Sequence, residues 1–311
     1  MASPLAVLLE PHIWVFAALG AALGQSLRSV VQKHLRQELG LYGSAFVRFI
    51  YGVPVAWALF FLILENIPDL SKLPAAFYAL LLAASLIQIL FTIVLGYAFE
   101  QRNFATSITL SKTDAIQAAI FELIFLSIIP SLNVATAILL GLFAVALMTL
   151  SKNTANLSTS QTWRDRFETR SVLLGLMAGF CLGFCSVLFR MAMDTLPELA
   201  FLDRAILAST LAISIQTLIM GAGLWFYAPD ELKACLRSGP KALPAGSIAA
   251  TTTFLWFLAF NEKGVAPVRM LGHVEILFSV IFGRLFFKEK ISRPELIGII
   301  LVVVSVLILL S

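Results

Sequence analysis

Ten long apolar segments, separated by short polar breaks, constrain the fold of this chain more than any other feature. A helix needs about 20 mostly apolar residues to cross a membrane, whereas a strand of a membrane barrel needs about ten that alternate in polarity. The segments here are longer than barrel strands and do not alternate, so they predict helices. They cover residues 12–33, 43–65, 74–99, 105–129, 133–151, 171–193, 200–227, 243–261, 266–287 and 293–310.

The composition agrees with a protein that is solvated by lipid. Of the 311 residues, 59% are hydrophobic and 13% are charged, against roughly 45–50% and about 25% in soluble domains. We therefore predict an all-α integral membrane protein with ten transmembrane helices. The stretch before His12 has no basic region, so the first segment is expected to remain as a helix and not to be cleaved as a signal peptide.

Few features point to a partner other than lipid and a small substrate. The net charge is +4, and no run of Lys or Arg resembles a nucleic-acid-binding patch. The three cysteines include no Cys-x-x-Cys pair and the three histidines are scattered, so neither a metal nor another cofactor is predicted. The sequence also lacks a G-x-x-x-x-G-K-[ST] loop, which argues against transport driven directly by ATP.

The second half of the chain repeats the first. Ala98 aligns with Ala259, and at the same offset Leu110 aligns with Leu271. Each half holds five predicted spans, and an odd number of crossings makes the second half enter the membrane from the opposite side. We therefore predict two inverted five-helix repeats, residues 1–151 and 171–311, joined by the polar linker 152–170. Such a pair presents similar half-sites to both faces of the membrane, which suits alternating access.

Glycines spaced four apart occur at equivalent places in the two halves. Gly20 and Gly24 lie in the first segment, and Gly179 and Gly183 lie in the sixth. This spacing allows two helix backbones to approach closely in lipid. The alternative is the general enrichment of glycine in membrane helices. Recurrence in both halves favours close helix packing.

The C-terminal part resembles a transporter family. In the sequence MLGHVEILFSVIFGRLFFKEK, Glu275 and Glu289 stand where EamA-type carriers of the drug/metabolite transporter superfamily have two glutamates, while Ile276 replaces the usual Pro. Asp114-Ala115 replaces Glu-Pro in the first half. The resemblance implies a ten-helix carrier of the bacterial inner membrane. It also implies that spans 1–4 and 6–9 line a central cavity, with spans 5 and 10 at the periphery.

Ionisable residues at membrane depth cost about 2.5–3.5 kcal/mol each, so each is a candidate functional group. Lys112 and Asp114 are repeat-equivalent to His273 and Glu275, and each pair combines a candidate cation with a carboxylate. Positions two apart on a continuous helix point about 200° apart. One member of each pair is therefore expected to line the transport path, and the other to pack or to bridge to a neighbouring helix.

Two further pairs share a helix face because they are three or four residues apart: Arg269 with His273, and Gln25 with Arg28. We predict that these residues bind the substrate together with the two pairs above. One alternative is a structural ion pair that locks helices together. Another applies to arginines within about two turns of a predicted span end, whose long side chains can reach the headgroups. These are Arg48, Arg190, Arg204 and Arg269.

Glu122 lies deeper in the fourth segment and has no partner nearby in sequence. Carboxylates inside membranes often carry protons in pumps and transporters. Glu122 is therefore a candidate proton-titrating residue, and a proton is a candidate coupling ion.

The charge distribution and the family resemblance predict opposite orientations. Lys and Arg are concentrated in connections 1–2, 5–6, 7–8 and 9–10, counted by span. The positive-inside rule places those connections in the cytoplasm and both termini outside. The family resemblance implies that both termini are inside. Both orientations stay open at this point.

Together these features favour a secondary transporter, an exporter of small polar metabolites such as amino acids. An exchanger of anionic metabolites is the alternative, in which Arg28, Arg48, Lys112, Arg204 and Arg269 bind phosphate or carboxylate. An intramembrane enzyme would need a nucleophile with a base, or an H-E-x-x-H motif, and the sequence has neither arrangement. Internal two-fold symmetry makes a monomer sufficient, with a loose homodimer as the other expectation.

Overall fold

The computed structural model of the chain describes residues 12–64, 67–100, 104–155, 169–287 and 293–311. Helices make up 90% of the structure, and the described residues contain no strand. Seven helices in this part are long and apolar enough to cross a membrane, and Ile13–Arg28 and Leu132–Met148 are shorter apolar helices. The all-helical membrane class is confirmed, while the number of ten spans stays a prediction.

The α-helices of the described ranges follow the predicted segments closely. In chain order they are α1 (Ile13–Ile50), α2 (Gly52–Ile63), α3 (Ala75–Glu100), α4 (Phe104–Ser111), α5 (Asp114–Leu126), α6 (Leu132–Ala155), α7 (Thr169–Asp194), α8 (Phe201–Tyr227), α9 (Pro229–Ser238), α10 (Leu243–Lys263), α11 (Val265–Gly272), α12 (Glu275–Phe287) and α13 (Arg293–Leu310).

The first two predicted spans are not separated by a loop. Instead α1 continues through the expected break between residues 33 and 43, because the polar stretch there, KHLRQEL, consists largely of good helix formers. The helix bends at Gly40, whose φ of 74° lies in the left-handed region that glycine adopts without strain. From α9, Glu231 supports this bend by accepting a hydrogen bond from the Gly43 N–H at 2.6 Å.

The fourth and ninth predicted spans are each two helices instead of one. A tight turn at residues 112–113 separates α4 from α5, and a turn at residues 273–274 separates α11 from α12. In each turn two N–H groups donate to the carbonyl three residues back, as in a 3₁₀ helix. These four hydrogen bonds, each 3.1 Å long, are Lys112 to Thr109, Thr113 to Leu110, His273 to Met270 and Val274 to Leu271.

The helices that flank the two breaks repeat at the offset seen in the sequence. Both α4 and α11 contain 8 residues, and both α5 and α12 contain 13. The connections before α3 and α10 also carry matching ion pairs. Lys72 lies 3.1 Å from Asp69, and at the same offset Lys233 lies 3.4 Å from Asp230. The duplication is thus visible in local structure and not only in residue type.

The chain forms two compact units that differ from the two sequence repeats. Unit 1 comprises residues 1–89 and 188–264, and unit 2 comprises residues 90–187 and 265–311. The boundaries fall within α3 and α7, so each unit takes helices from both halves of the chain. The division into repeats at residues 151 and 171 describes the duplication and stays a prediction.

Small residues allow close helix packing inside each unit. In unit 1, α1 packs on α10, and a Cβ built on Gly20 would lie 3.1 Å from a methyl carbon of Leu255. Gly24 packs still more closely on Thr252. In unit 2, α13 packs on α6, where Gly298 contacts Met148.

Candidate functional site

The two helix breaks in unit 2 each place an acidic residue at the start of a helix. Asp114 is the first residue of α5, and Glu275 is the first residue of α12. A carboxylate in the first turn of a helix interacts favourably with the helix dipole. The breaks therefore position two carboxylates at repeat-equivalent places within unit 2.

Asp114 lies at the centre of a buried group of charged side chains, with 2% of its surface exposed. Its Oδ2 atom accepts hydrogen bonds from Nε of Arg269 at 2.7 Å and from Nη2 of the same residue at 2.6 Å. Its Oδ1 atom lies 3.2 Å from Nε2 of His273. Arg269 is 6% exposed and His273 is 2% exposed. Charges removed from water to this degree need partners, and Asp114 provides one to both side chains.

A second ion pair completes the group. Lys112 Nζ contacts Glu275 Oε1, and both side chains are mostly buried. The cation of the first half thus pairs with the carboxylate of the second half, and the carboxylate of the first half pairs with Arg269 of the second. Hereafter the five residues are called the crossed ion pairs: Lys112, Asp114, Arg269, His273 and Glu275.

The crossed ion pairs correct one expectation from the sequence. Lys112 and Asp114 do not point in opposite directions from one continuous helix, because α4 ends at Ser111, Lys112 lies in the turn, and Asp114 begins α5. Both residues form ion pairs with α11 or α12. The shared face of Arg269 and His273 is present, since both contact Asp114. Arg269 also does not extend to the headgroups, because it is buried within unit 2.

One nitrogen of the His273 imidazole makes no hydrogen bond with the described residues. Nδ1 is buried and has no hydrogen-bond partner among the described residues. A buried polar atom without a partner costs free energy. His273 is therefore a candidate contact for a bound ligand.

Glu122 is buried at 3% exposure and contacts the start of α11. Its two carboxylate oxygens accept hydrogen bonds from the N–H groups of Val265 at 2.6 Å and Ala266 at 3.0 Å. The first N–H groups of a helix lack partners within the helix, and Pro267 has no N–H to satisfy. Glu122 thus caps α11 across 143 residues of sequence. Its proton-titrating role stays a prediction.

Glycines of α7 pack against the first helix break. A Cβ built on Gly179 would lie 3.0 Å from the carbonyl oxygen of Ser111, and one built on Gly183 would lie 2.9 Å from that of Asp114. Close packing was predicted for these two glycines, but their partner was not. The crossed ion pairs are therefore held from one side by a helix surface that has no room for side chains at these positions.

Gln25 and Arg28 lie on α1 in unit 1, so the predicted substrate residues fall into two sets. Arg28 lines a pocket together with Arg48, Gln88 and Thr253. Arg48 is 6% exposed and its guanidinium lies 4.4 Å from the ring centre of Phe49, so it too does not reach the headgroups.

Several structural features of the two units are not evident from the sequence. Gln88 and Gln216 hydrogen-bond at 3.1 Å inside unit 1, but neutral amides do not stand out in an apolar segment. The helix breaks contain no proline, although Thr113-Asp114 and Gly272 are typical residues of helix starts and ends. Glu289, quoted for the family resemblance, lies outside the described residues.

The apolar helices and the buried ion pairs define an integral membrane protein. Residues 169–311 match the model of the EamA-like transporter family, which is part of the drug/metabolite transporter superfamily. Over these residues the chain is similar to this family of membrane transporters, and the resemblance proposed from the sequence is confirmed there. Proteins of this family are transporters and not enzymes.

Comparison with solved structures supports the fold. One solved structure, titled only "Crystal structure of protein", has a TM-score of 0.71 with this chain at 10% sequence identity, and the match covers 96% of this chain and 97% of the other. At this identity the similarity concerns the fold alone. No curated protein matches the chain in sequence.

Proposed function

We propose that the chain is a secondary transporter of small polar metabolites such as amino acids, and that it exports them by alternating access across a bacterial inner membrane. The observation that carries this proposal is the crossed ion pairs, which lie at two repeat-equivalent helix breaks. Ionisable residues inside membranes commonly mark a substrate or ion pathway. Substrate sites of carriers are often built from interrupted helices.

The balance of charges favours a zwitterionic substrate. Asp114 and Glu275 carry two negative charges, which Arg269 and Lys112 match with two positive charges. A buried charge that loses its partner is strongly destabilising, so a ligand can take the place of a partner only if it brings the same charge. An ammonium group would pair with the carboxylates and a carboxylate group with the cations, while Nδ1 of His273 would form a further hydrogen bond.

The same exchange of partners links binding to conformational change. Both ion pairs connect the α4–α5 break to the α11–α12 segment, so they join the two repeats. A substrate that replaces one partner of each ion pair breaks the contact between the two repeats. A differential interaction of this kind is what allows a ligand to shift a conformational equilibrium.

Glu122 is proposed to couple the cycle to a proton, since it holds the start of α11, the helix that carries Arg269. Protonation would weaken the charge-assisted hydrogen bonds to Val265 and Ala266. A transport rate that stays constant between about pH 5.5 and 8, with and without a pH gradient, would exclude proton coupling.

A thermal-stability screen of the purified protein tests the substrate class. Ligands that bind the native state raise its stability by mass action, by about 2.7 kcal/mol at a concentration of 100 Kd. We expect amino acids to raise Tm in the wild type and not in Asp114→Asn or Glu275→Gln. Uptake of the same compounds into proteoliposomes then tests transport. Stabilisation by phosphates or dicarboxylates alone would contradict the proposal that the substrate is zwitterionic.

An exchanger of anionic metabolites is the second candidate. The observation that favours it is the pocket of unit 1, where Arg28 and Arg48 lie together. Lys112 and Arg269 are less suited to this role because each already pairs with a carboxylate. In either case the carrier is proposed to act as a monomer or a loose homodimer, with lipid and a small substrate as its partners.

A further inference from the structure

An amphipathic helix of unit 1 lies between two membrane-spanning helices. The helix α9 and the 3₁₀ turn Gly239–Ala242 form the connection between the spans Phe201–Tyr227 and Leu243–Lys263. Ala228 alone separates α9 from the first of these spans. Because both ends of this short connection are joined directly to span ends, α9 lies close to the lipid headgroups.

The inner face of α9 is occupied by contacts with α1. Cys235 is buried, and Glu231 holds the bend of α1 by accepting the hydrogen bond from the Gly43 N–H. The hydroxyl of Tyr51 donates to the carbonyl oxygen of Cys235 at 3.0 Å and accepts from the Gly239 N–H at 2.8 Å. Interfacial helices usually bury their apolar face in lipid, but here α1 covers that face. Any contact of α9 with the membrane is therefore made by its outer face.

The outer face of α9 carries a surplus of positive charge. Lys233 and Arg237 are exposed and four residues apart, so they share one face of the helix, and Lys241 is exposed in the turn that follows. The exposed carboxylate of Asp230 lies 3.4 Å from Nζ of Lys233 and offsets one of the three charges. Glu231 does not offset the other two, because its carboxylate contacts α1. Arg237 and Lys241 thus give this surface two further positive charges.

Aromatic residues indicate the depth at which this surface lies. Trp225, Phe226 and Tyr227 end α8, and all three side chains are mostly exposed. Aromatic side chains are enriched at the boundary between the acyl chains and the headgroups. Leu236 and Leu243 are also exposed, on either side of the basic residues in sequence. Exposed rings and leucines next to lysine and arginine fit a lipid with an anionic headgroup better than a soluble acidic molecule, which has no acyl chains.

We infer that α9 and the turn after it form a binding surface for anionic lipid, in which Arg237 and Lys241 bind the phosphate of the headgroup. Each basic residue near an anionic membrane surface strengthens binding about fivefold. The surplus of positive charge selects headgroups with a net negative charge, such as phosphatidylglycerol. Phosphatidylcholine is bound less well, because its choline group carries a positive charge of its own. The ligand is a lipid and not the transported metabolite, so the inference goes beyond the proposed function.

Thermal unfolding of the purified full-length protein in a neutral detergent, titrated with phosphatidylglycerol or phosphatidylcholine, tests the surface. Ligands that bind the native state raise Tm by mass action, so phosphatidylglycerol should raise Tm more at equal mole fraction. The double variant Arg237→Gln with Lys241→Gln should need about 25-fold more phosphatidylglycerol for the same rise, since two contacts of about fivefold each are lost. Without added lipid it should unfold at the wild-type Tm, because both side chains are exposed.

Lys72→Gln is the matched control, since Lys72 is an exposed lysine whose charge is offset by Asp69 at 3.1 Å. It should leave the titration unchanged, and Arg237→Lys, which keeps the charge, should keep most of the response. Three results would overturn the inference: an equal rise with phosphatidylcholine, an unchanged titration in the double variant, or an equal loss in Lys72→Gln. A rise with inorganic phosphate as large as that with phosphatidylglycerol would also overturn it, because the surface would then bind soluble anions.

Discussion

At the scale of single residues, Asp114 is the centre of the charged group in unit 2. Its carboxylate contacts both Arg269 and His273. Sequence position alone singled out these residues, because charges are rare in apolar segments. Their pairing could not be predicted, since Asp114 and Arg269 are 155 residues apart and a one-dimensional pattern does not specify which buried cation meets which carboxylate.

Asp114→Asn is expected to destabilise the protein by about 3–5 kcal/mol, because it leaves the buried guanidinium of Arg269 without its carboxylate. The measurement is Tm by intrinsic fluorescence in detergent. Asp69→Asn serves as the control, since Asp69 lies in an exposed turn, and it should leave Tm unchanged. The double variant, Asp114→Asn with Arg269→Gln, should lose less stability than the two single variants lose in sum. Paired charges are energetically coupled. An additive double variant would contradict the ion pair.

At the scale of helices, the two breaks depend on the neighbouring surface of α7. A Cβ on Gly183 would lie 2.9 Å from the Asp114 carbonyl oxygen and 3.1 Å from the Ala118 nitrogen, and backbone atoms cannot rotate away. Gly183→Ala is therefore expected to lower stability by about 1–3 kcal/mol through overpacking. Thermal unfolding with the ligand-free protein measures the effect.

Gly223 of α8 provides the matched control for that substitution. A Cβ built there meets no atom within 4 Å, and the residue lies inside a helix. Gly223→Ala should therefore be neutral or stabilise by about 0.4–1 kcal/mol, because alanine loses less backbone entropy on folding. Equal loss of stability in both variants would show that general glycine content, and not contact with the break, governs the effect.

The helices themselves were largely predictable, and their interruptions were not. Long apolar segments such as 74–99 and 200–227 match α3 and α8 within a residue or two. The predicted helix 105–129 is broken at residues 112–113, where Lys112 in the turn and Asp114 after it form buried ion pairs. These pairs are a tertiary effect that local composition does not contain. Likewise α1 passes through a polar stretch that looked like a loop, since helix propensity there is high.

At the scale of the whole molecule, the duplication predicts that the two repeats are inverted. The segments Asp69–Lys72 and Asp230–Lys233, the second of which lies in α9, make a direct test because they are equivalent in the repeat. The side chain of Lys72 is 82% exposed and that of Lys233 is 64% exposed. If five spans separate these segments, Lys72→Cys and Lys233→Cys must react with a membrane-impermeant maleimide from opposite sides of intact cells.

The native cysteines permit this labelling without further changes. Cys181 and Cys185 are buried in α7, and Cys235 is fully buried in α9, where burial raises its pKa to about 11. Its thiolate, the reactive form, is scarce at neutral pH, so the wild type should label weakly. Labelling of Lys233→Cys from outside, with Lys72→Cys protected, would place both termini in the cytoplasm, and the opposite pattern would place them outside. Labelling of both from one side would disprove the inverted repeat and, with it, the symmetry that alternating access here requires.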